Sequence, residues 1–242
     1  MTDPSLSTPA RAGRLVALVP AAGTGSRASS PDSGGLPKQY RQLGGQPMLR
    51  RTVAALLAEP RVQEVHVIVA ADDGRVAEVL TGVPRTWWHP VGGAQRHETV
   101  ANGLAHLRLG DDDWVMVHDA ARPGLDIAAL ARLVDACLDD AVGGLLALPA
   151  ADTVKQAMPE SPGRVGRTLP RDGIWLAQTP QMFRAGLLGH ALAAARETGR
   201  LPTDEASAVE ALGYQPRLVP GSPGNVKVTW PHDFEWMEKW LA

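Results

Sequence analysis

Leu15-Val16-Ala17-Leu18-Val19-Pro20-Ala21-Ala22-Gly23-Thr24-Gly25-Ser26-Arg27, followed shortly by Pro37-Lys38-Gln39, decides how this chain is read. The apolar run Leu15–Val19 is the pattern of a strand buried on both faces, as in a parallel sheet. It empties into a loop of small residues, where no side chain keeps backbone N–H groups from an anion. Arg27 and Lys38 close the stretch with a guanidinium and an ammonium, the positive charge that a polyphosphate needs. The segment has the chemistry of a nucleoside triphosphate cradle.

Two other glycine loops fail on this sequence. A Walker A loop needs Lys-Ser or Lys-Thr after its last glycine, whereas Gly25 precedes Ser26-Arg27. Gly23-Thr24-Gly25-Ser26-Arg27-Ala28 does match the dinucleotide fingerprint G-x-G-x-x-G/A, but that motif opens a helix and needs an acid about twenty residues on. Ser29-Ser30-Pro31-Asp32-Ser33-Gly34-Gly35 cannot continue a helix, and no acid lies between Gly44 and Leu57.

Outward from this strand, short apolar runs alternate with amphipathic stretches. The pattern predicts helices over Pro47–Ala58, Gly74–Leu80, Gln95–Leu107 and Ile127–Leu138, and strands over Val65–Val69, Trp114–Val117 and Gly144–Leu148. That order implies an α/β fold: a mostly parallel, Rossmann-like sheet with helices on both faces, whose ligands bind at the carboxyl ends of the strands. Pro20–Arg27 and His118-Asp119-Ala120-Ala121-Arg122-Pro123 lie at such ends. From about 151 to 173 the character changes: two β-like stretches flank the turn Pro159-Glu160-Ser161-Pro162-Gly163. This projecting β-arm carries too little apolar area to stand alone, and serves as an oligomerisation arm or a site cover. Beyond it come helices over Arg184–Arg196 and Asp204–Leu212, a strand near Pro216–Val219, the segment Asn225–Thr229, and a closing helix with Trp236 and Trp240 as a core-facing stripe.

Composition bounds the function. The 242 residues carry 24 basic and 26 acidic side chains, so no basic field exists for nucleic acid. A single cysteine, Cys137, sits on an apolar helix face and reads as core in a reducing compartment. The seven histidines show no zinc-ligand spacing. Residues 1–13 read as a disordered tail and 14–242 as one domain; no apolar run reaches the roughly 18 residues of a membrane span. The expectation is a cytoplasmic protein without membrane or nucleic-acid partners.

Taken singly, the candidate site residues have two readings each. Asp119 suits Mg²⁺, which takes one or two carboxylates plus phosphate oxygens, or caps a turn. Arg122 suits a phosphate or a surface ion pair. Lys227, alone between Val226 and Val228, either snorkels out at an edge or faces an anion. Thr203-Asp204-Glu205 has the form of a helix start, and Gly92-Gly93-Ala94-Gln95-Arg96 offers free N–H groups ahead of a helix.

Together, LVPAAGTGSR, PKQY, GGAQRHETVANGL, VHDAARP, DTVK, TPQMF, TDEASAVEALG and NVKVT resemble, in order from Leu15 to Thr229, the 2-C-methyl-D-erythritol 4-phosphate cytidylyltransferases of the non-mevalonate isoprenoid pathway. The resemblance implies a nucleotide-diphospho-sugar transferase fold and a homodimer that exchanges arms. It implies attack by the 4-phosphate of methylerythritol phosphate on the α-phosphorus of CTP, with Mg²⁺ as cofactor. By the same resemblance, Arg27 and Lys38 contact the triphosphate, Lys227 positions the acceptor, and Arg171 grips its phosphate from the partner's arm. Ala21, Ala22, Gly23 and Gly25 line the triphosphate loop, and Gly92, Gly93 and Thr99 surround the cytosine. Asp119 and Ala120 take the ribose and metal side, while Arg122, Thr153 and Thr203 face the acceptor. Ala94 stands where the family often has an acid, and the loop from Arg27 to Pro37 is longer than usual. The alternatives are a cytidylyltransferase for another polyol phosphate such as ribitol 5-phosphate, or a non-catalytic nucleotide-binding homologue.

Overall fold

The computed structural model describes residues 13–23 and 36–241. Gly25, Arg27 and nearly all of the long loop that follows them therefore lie outside the described residues, as does the tail before Gly13. In chain order the elements are β1 (Leu15–Pro20), a 3-10 turn (Lys38–Tyr40), β2 (Gln42–Leu43), β3 (Gln46–Pro47), α1 (Met48–Leu57), β4 (Glu64–Ile68), α2 (Val76–Val79), β5 (Thr86–His89) and α3 (Arg96–Leu107). There follow β6 (Trp114–Val117), α4 (Ile127–Leu138), β7 (Gly143–Pro149), β8 (Val154–Met158), β9 (Ser161–Leu169), β10 (Trp175–Arg184), α5 (Ala185–Glu197), α6 (Glu205–Glu210), β11 (Arg217–Pro220) and α7 (Pro231–Leu241).

Seven strands form one sheet in the order β11-β7-β10-β6-β1-β4-β5. The pairs β1–β4, β1–β6, β4–β5 and β7–β11 are parallel; only β10 runs antiparallel, to both β6 and β7. The sheet is thus mostly parallel, as the apolar runs predict. Its two faces bury separate clusters, one under α1 and α4 around Ala17, Val19 and Met116, the other under α3 and α5 around Val16, Leu18 and Val117. From β1 the chain moves outward to β4 and β5, then returns to lay β6 on the other side of β1. The crevice at the carboxyl ends of β1 and β6 is the switch point where such sheets bind ligands.

Two strands of the seven-stranded sheet are absent from the sequence reading. β5 is a four-residue edge strand between Pro84 and Pro90, too short to show a period. β10 contains Pro180, which argues against a central strand; the ladder accommodates it by a register shift between Ala177 and Gln181. One further expectation is corrected. The stripe of Trp236 and Trp240 does not face the core: they are 41% and 52% exposed, stacked on each other at 5.5 Å, while Phe234 and Met237 are the buried face of α7. The segment 225–229 joins no sheet; it is held by the Val228 N–H on the Ala121 carbonyl at 2.8 Å and by the Val228 side chain, buried against Met48 and Met237.

β8 and β9 pair only with each other, as a hairpin with nearly every residue exposed. Cys137 is buried in α4, and burial pushes its thiol up to about 12, as inert core.

Candidate active site

At the ends of β1 and β6 a cleft of about 240 Å³ is lined by residues 20–23, Lys38 and Gln39, residues 93–96, Thr99, residues 119–121 and Lys227. A larger groove of about 870 Å³ between α3 and α5 holds none of these residues. The chemistry is in the smaller one.

Its centre is Asp119, two residues past the end of β6. Arg96 donates its Nε to Asp119 Oδ1 at 2.8 Å, and Lys227 Nζ lies 2.7 Å from Oδ2. Arg122 approaches Oδ2 from below, with Nε at 3.7 Å, and donates Nη1 to the Asn225 carbonyl at 2.6 Å. Burial opposes the Asp119 charge, but Arg96, Lys227 and Arg122 outweigh it and hold the carboxyl well below the ordinary range. Arg96 in turn donates both terminal nitrogens to Glu205, at 2.7 and 3.0 Å. Three cations thus face two carboxylates in this partly buried cluster; burial pushes the Glu205 carboxyl up, and the Arg96 charge opposes that shift.

The backbone around Asp119 is fixed as firmly. Its N–H donates to Thr179 Oγ1 at 3.0 Å, and His118 Nε2 donates to the Arg122 carbonyl at 3.1 Å. His118 Nδ1 must then accept the Thr179 hydroxyl at 3.0 Å. Burial keeps that imidazole neutral, with its pKa down at about 4. The proline-bearing irregularity of β10 is what delivers Thr179 to this point.

Lys38 Nζ donates to the Val228 carbonyl at 3.0 Å, so one short segment carries Lys227 and anchors Lys38. Gln39 donates to the carbonyls of Ala21 and Gly23 at 2.9 and 3.2 Å, which shapes the start of the small-residue loop. On the opposite wall, Gly92 and Gly93 are required by close approach. A Cβ on Gly92 would meet the Val69 carbonyl at 2.7 Å, and one on Gly93 would meet Glu98 Cβ at 2.5 Å. Thr99 is buried and its hydroxyl is engaged by the Gly93 N–H at 3.1 Å and the Gln95 carbonyl at 3.1 Å. It shapes the loop.

Of the residues singled out from sequence, the cleft gathers Ala21, Ala22, Gly23, Lys38, Gly93, Thr99, Asp119, Ala120 and Lys227. Gly92 lies directly behind Gly93, and Arg122 lies beneath Asp119 rather than on the lining. Thr203 is at the start of α6, its hydroxyl 3.3 Å from Ser207 Oγ. Thr153 and Arg171 stand at the base of the arm, where Arg171 donates to the Ala151 carbonyl; neither lines the cleft of this chain. The sequence reading passes over Arg96 and Glu205. One signal is available: a cation at the first position of a helix opposes the helix dipole, so Arg96 needs acidic partners.

The described lining offers no serine, cysteine or histidine, and its one hydroxyl is engaged. Such a site suits a reaction whose nucleophile arrives with the substrate and whose burden is anionic charge. The family model described as 2-C-methyl-D-erythritol 4-phosphate cytidylyltransferase matches residues 15–242. The chain belongs to that family. A relative of that name from Bordetella pertussis (strain Tohama I) is 65% identical, over 94% of this chain and 98% of its own length. Another, from Chromobacterium violaceum, is 52% identical over 90% of this chain and 94% of its own. A solved 4-diphosphocytidyl-2C-methyl-D-erythritol synthase superimposes with a TM-score of 0.82 at 38% identity, covering 95% of this chain and 99% of that one. The cytidylyltransferase from Thermus thermophilus gives 0.76 at 31% identity, over 94% and 98%. This family member is a nucleotidyltransferase.

Proposed function

We propose that this chain transfers the cytidylyl group of CTP to 2-C-methyl-D-erythritol 4-phosphate, a step in isoprenoid precursor biosynthesis. An oxygen of the acceptor phosphate bonds to the α-phosphorus of CTP, the bond from that phosphorus to the α–β bridging oxygen breaks, and pyrophosphate leaves. A phosphate is nucleophilic at neutral pH, so the enzyme's work is alignment and charge stabilisation. The observation that carries the reading is Asp119, held ionised between Arg96 and Lys227 on the floor of a cleft that Lys38 also lines. Lys38 stabilises the triphosphate charge, Lys227 aligns the acceptor phosphate, and the Gly93 wall reads the cytosine by its backbone.

Asp119 is the only carboxylate among the described lining residues, and it is anionic. That donor set fits Mg²⁺ ligated by one carboxylate and otherwise by triphosphate oxygens. Bound there, the ion would neutralise phosphate charge. Arg171 and Thr153, outside the cleft of their own chain, complete the site of a second copy through an exchanged arm, which makes the homodimer the active unit. Val165 on β9, 60% exposed, is then covered by that partner.

The test is pyrophosphate release with Mg²⁺, crossing CTP, UTP, ATP and GTP with methylerythritol 4-phosphate and ribitol 5-phosphate. Release confined to CTP with methylerythritol phosphate is the expected result. Release with ribitol phosphate instead contradicts the acceptor, and silence from protein that still binds CTP contradicts catalysis.

A further inference from the structure

Glu205 is 1% exposed, and the chemistry just described gives it no part. Its position is set with care. Asp204 caps α6 by accepting the Ser207 N–H at 2.9 Å, and Gln181 of β10 holds both sides of the turn. Gln181 donates to Asp204 at 2.8 Å and accepts the Ala206 N–H at 2.7 Å. Glu205, between them, is left pointing at Arg96, whose two terminal nitrogens it engages at 2.7 and 3.0 Å.

A buried ion pair is a poor device for stability alone, since apolar residues of similar volume serve as well or better. Here the pair does something that packing cannot. Arg96 lines the cleft, and a guanidinium fork is the group best shaped to take a phosphate. Glu205 occupies that fork with both carboxylate oxygens, and the Nε–H turns to Asp119 Oδ1. With Arg96 restricted to one contact, Asp119 keeps Oδ2 for Lys227 at 2.7 Å.

We infer that Glu205 is a positioning residue: it withholds the Arg96 fork from the substrate phosphates and, through Asp119, sets where Lys227 stands. Without its charge, Arg96 turns its fork toward the cleft or onto both oxygens of Asp119. Phosphates then bind more tightly but out of line. The inference rests on the nucleotidyl-transfer reading for its kinetic part only, because phosphate binding is measured without an acceptor.

The experiment uses Glu205→Gln, which keeps the shape and removes the charge, and titrates inorganic pyrophosphate by calorimetry at fixed pH and ionic strength. The variant is expected to bind pyrophosphate roughly tenfold tighter, because one buried negative charge near the cleft is gone. Its kcat should fall by roughly 10–100-fold from misalignment, with the KM for CTP unchanged or lower. Adding Arg96→Met should abolish the tightening. Folded Glu205→Gln whose pyrophosphate affinity matches wild type overturns the inference, and so does tightening that persists without Arg96. If Glu205→Gln does not fold, Glu205→Met, which also removes the charge and keeps the volume, is read by the same criteria. Wild type that binds pyrophosphate but turns over no CTP with methylerythritol phosphate contradicts the functional reading alone. Wild type that does not bind pyrophosphate overturns both.

Discussion

Lys227 and Arg171 are the two cations proposed for the acceptor phosphate, yet they stand in opposite kinds of surroundings. The Lys227 ammonium is 2.7 Å from a buried carboxylate that two arginines also hold, on a segment pinned by a buried valine. Arg171 donates to a backbone carbonyl at the root of an exposed hairpin, and among the described residues it is not part of the cleft lining. One half of the site is preorganised within the chain. The other half is proposed to be completed by a second chain. The first derives its precision from electrostatics in a partly buried cleft; the second is proposed to derive it from assembly.

The largest expected effect lies on the preorganised side. Lys38→Ala should lower kcat by roughly 10²–10³-fold, the scale of removing one preorganised donor at developing charge. A loss below about fivefold in steady-state assays would take Lys38 out of the chemistry. Arg171→Ala should act on the other half: a rise of roughly 10–100-fold in the KM for the polyol phosphate, from one lost charge-assisted contact, with CTP affinity by calorimetry unchanged. Equal damage to CTP binding would erase the distinction between the halves.

Stability should divide the molecule as well. Phe234→Ala, which empties the small cluster supporting Val228, should cost about 3 kcal/mol in denaturant melts. Trp236→Ala should cost under about 1 kcal/mol, because its ring is exposed and stacks on Trp240. Reversed magnitudes would restore the tryptophans to the core.

A smaller effect should appear in the pH dependence. His118 is neutral when folded, with its pKa down at about 4, against an ordinary value of 6.5. Between those values the unfolded chain binds one more proton at this site, so its contribution is complete above 6.5 and is lost as pH falls towards 4. His118→Gln should therefore show a shallower fall in urea midpoint than wild type across that window. Asp119, held below the ordinary carboxylate range, acts only at lower pH. Parallel slopes for the two proteins would mean that His118 is not buried neutral.

What is legible in the sequence follows the same division. Strands buried on both faces show themselves as apolar runs, and Leu15–Val19, Val65–Val69 and Trp114–Val117 all fall on strands within a residue or two. β10 is hidden because its proline breaks the strand pattern, although the residues around that proline deliver Thr179 to Asp119. The residue types of the cleft are visible at Lys38, Asp119 and Lys227, since isolated charges at strand ends and between valines are conspicuous. Their pairing is not. Arg96 and Glu205 are 109 residues apart, and only the fold brings them together. The tryptophans of α7 mislead because spacing gives a face but not the direction in which that face points.

The most direct measurement mixes two damaged proteins, Arg171→Ala and Lys38→Ala, after dissociation and reassociation. In a mixed dimer with exchanged arms, one cleft receives Lys38 from its own chain and Arg171 from the other, while the second cleft receives neither. Assayed with the polyol phosphate well below its wild-type KM, where both parents are nearly inactive, random reassociation should therefore restore roughly a quarter of wild-type activity. Mixed dimers that form, as shown by mass, and remain inactive would contradict a site shared between chains.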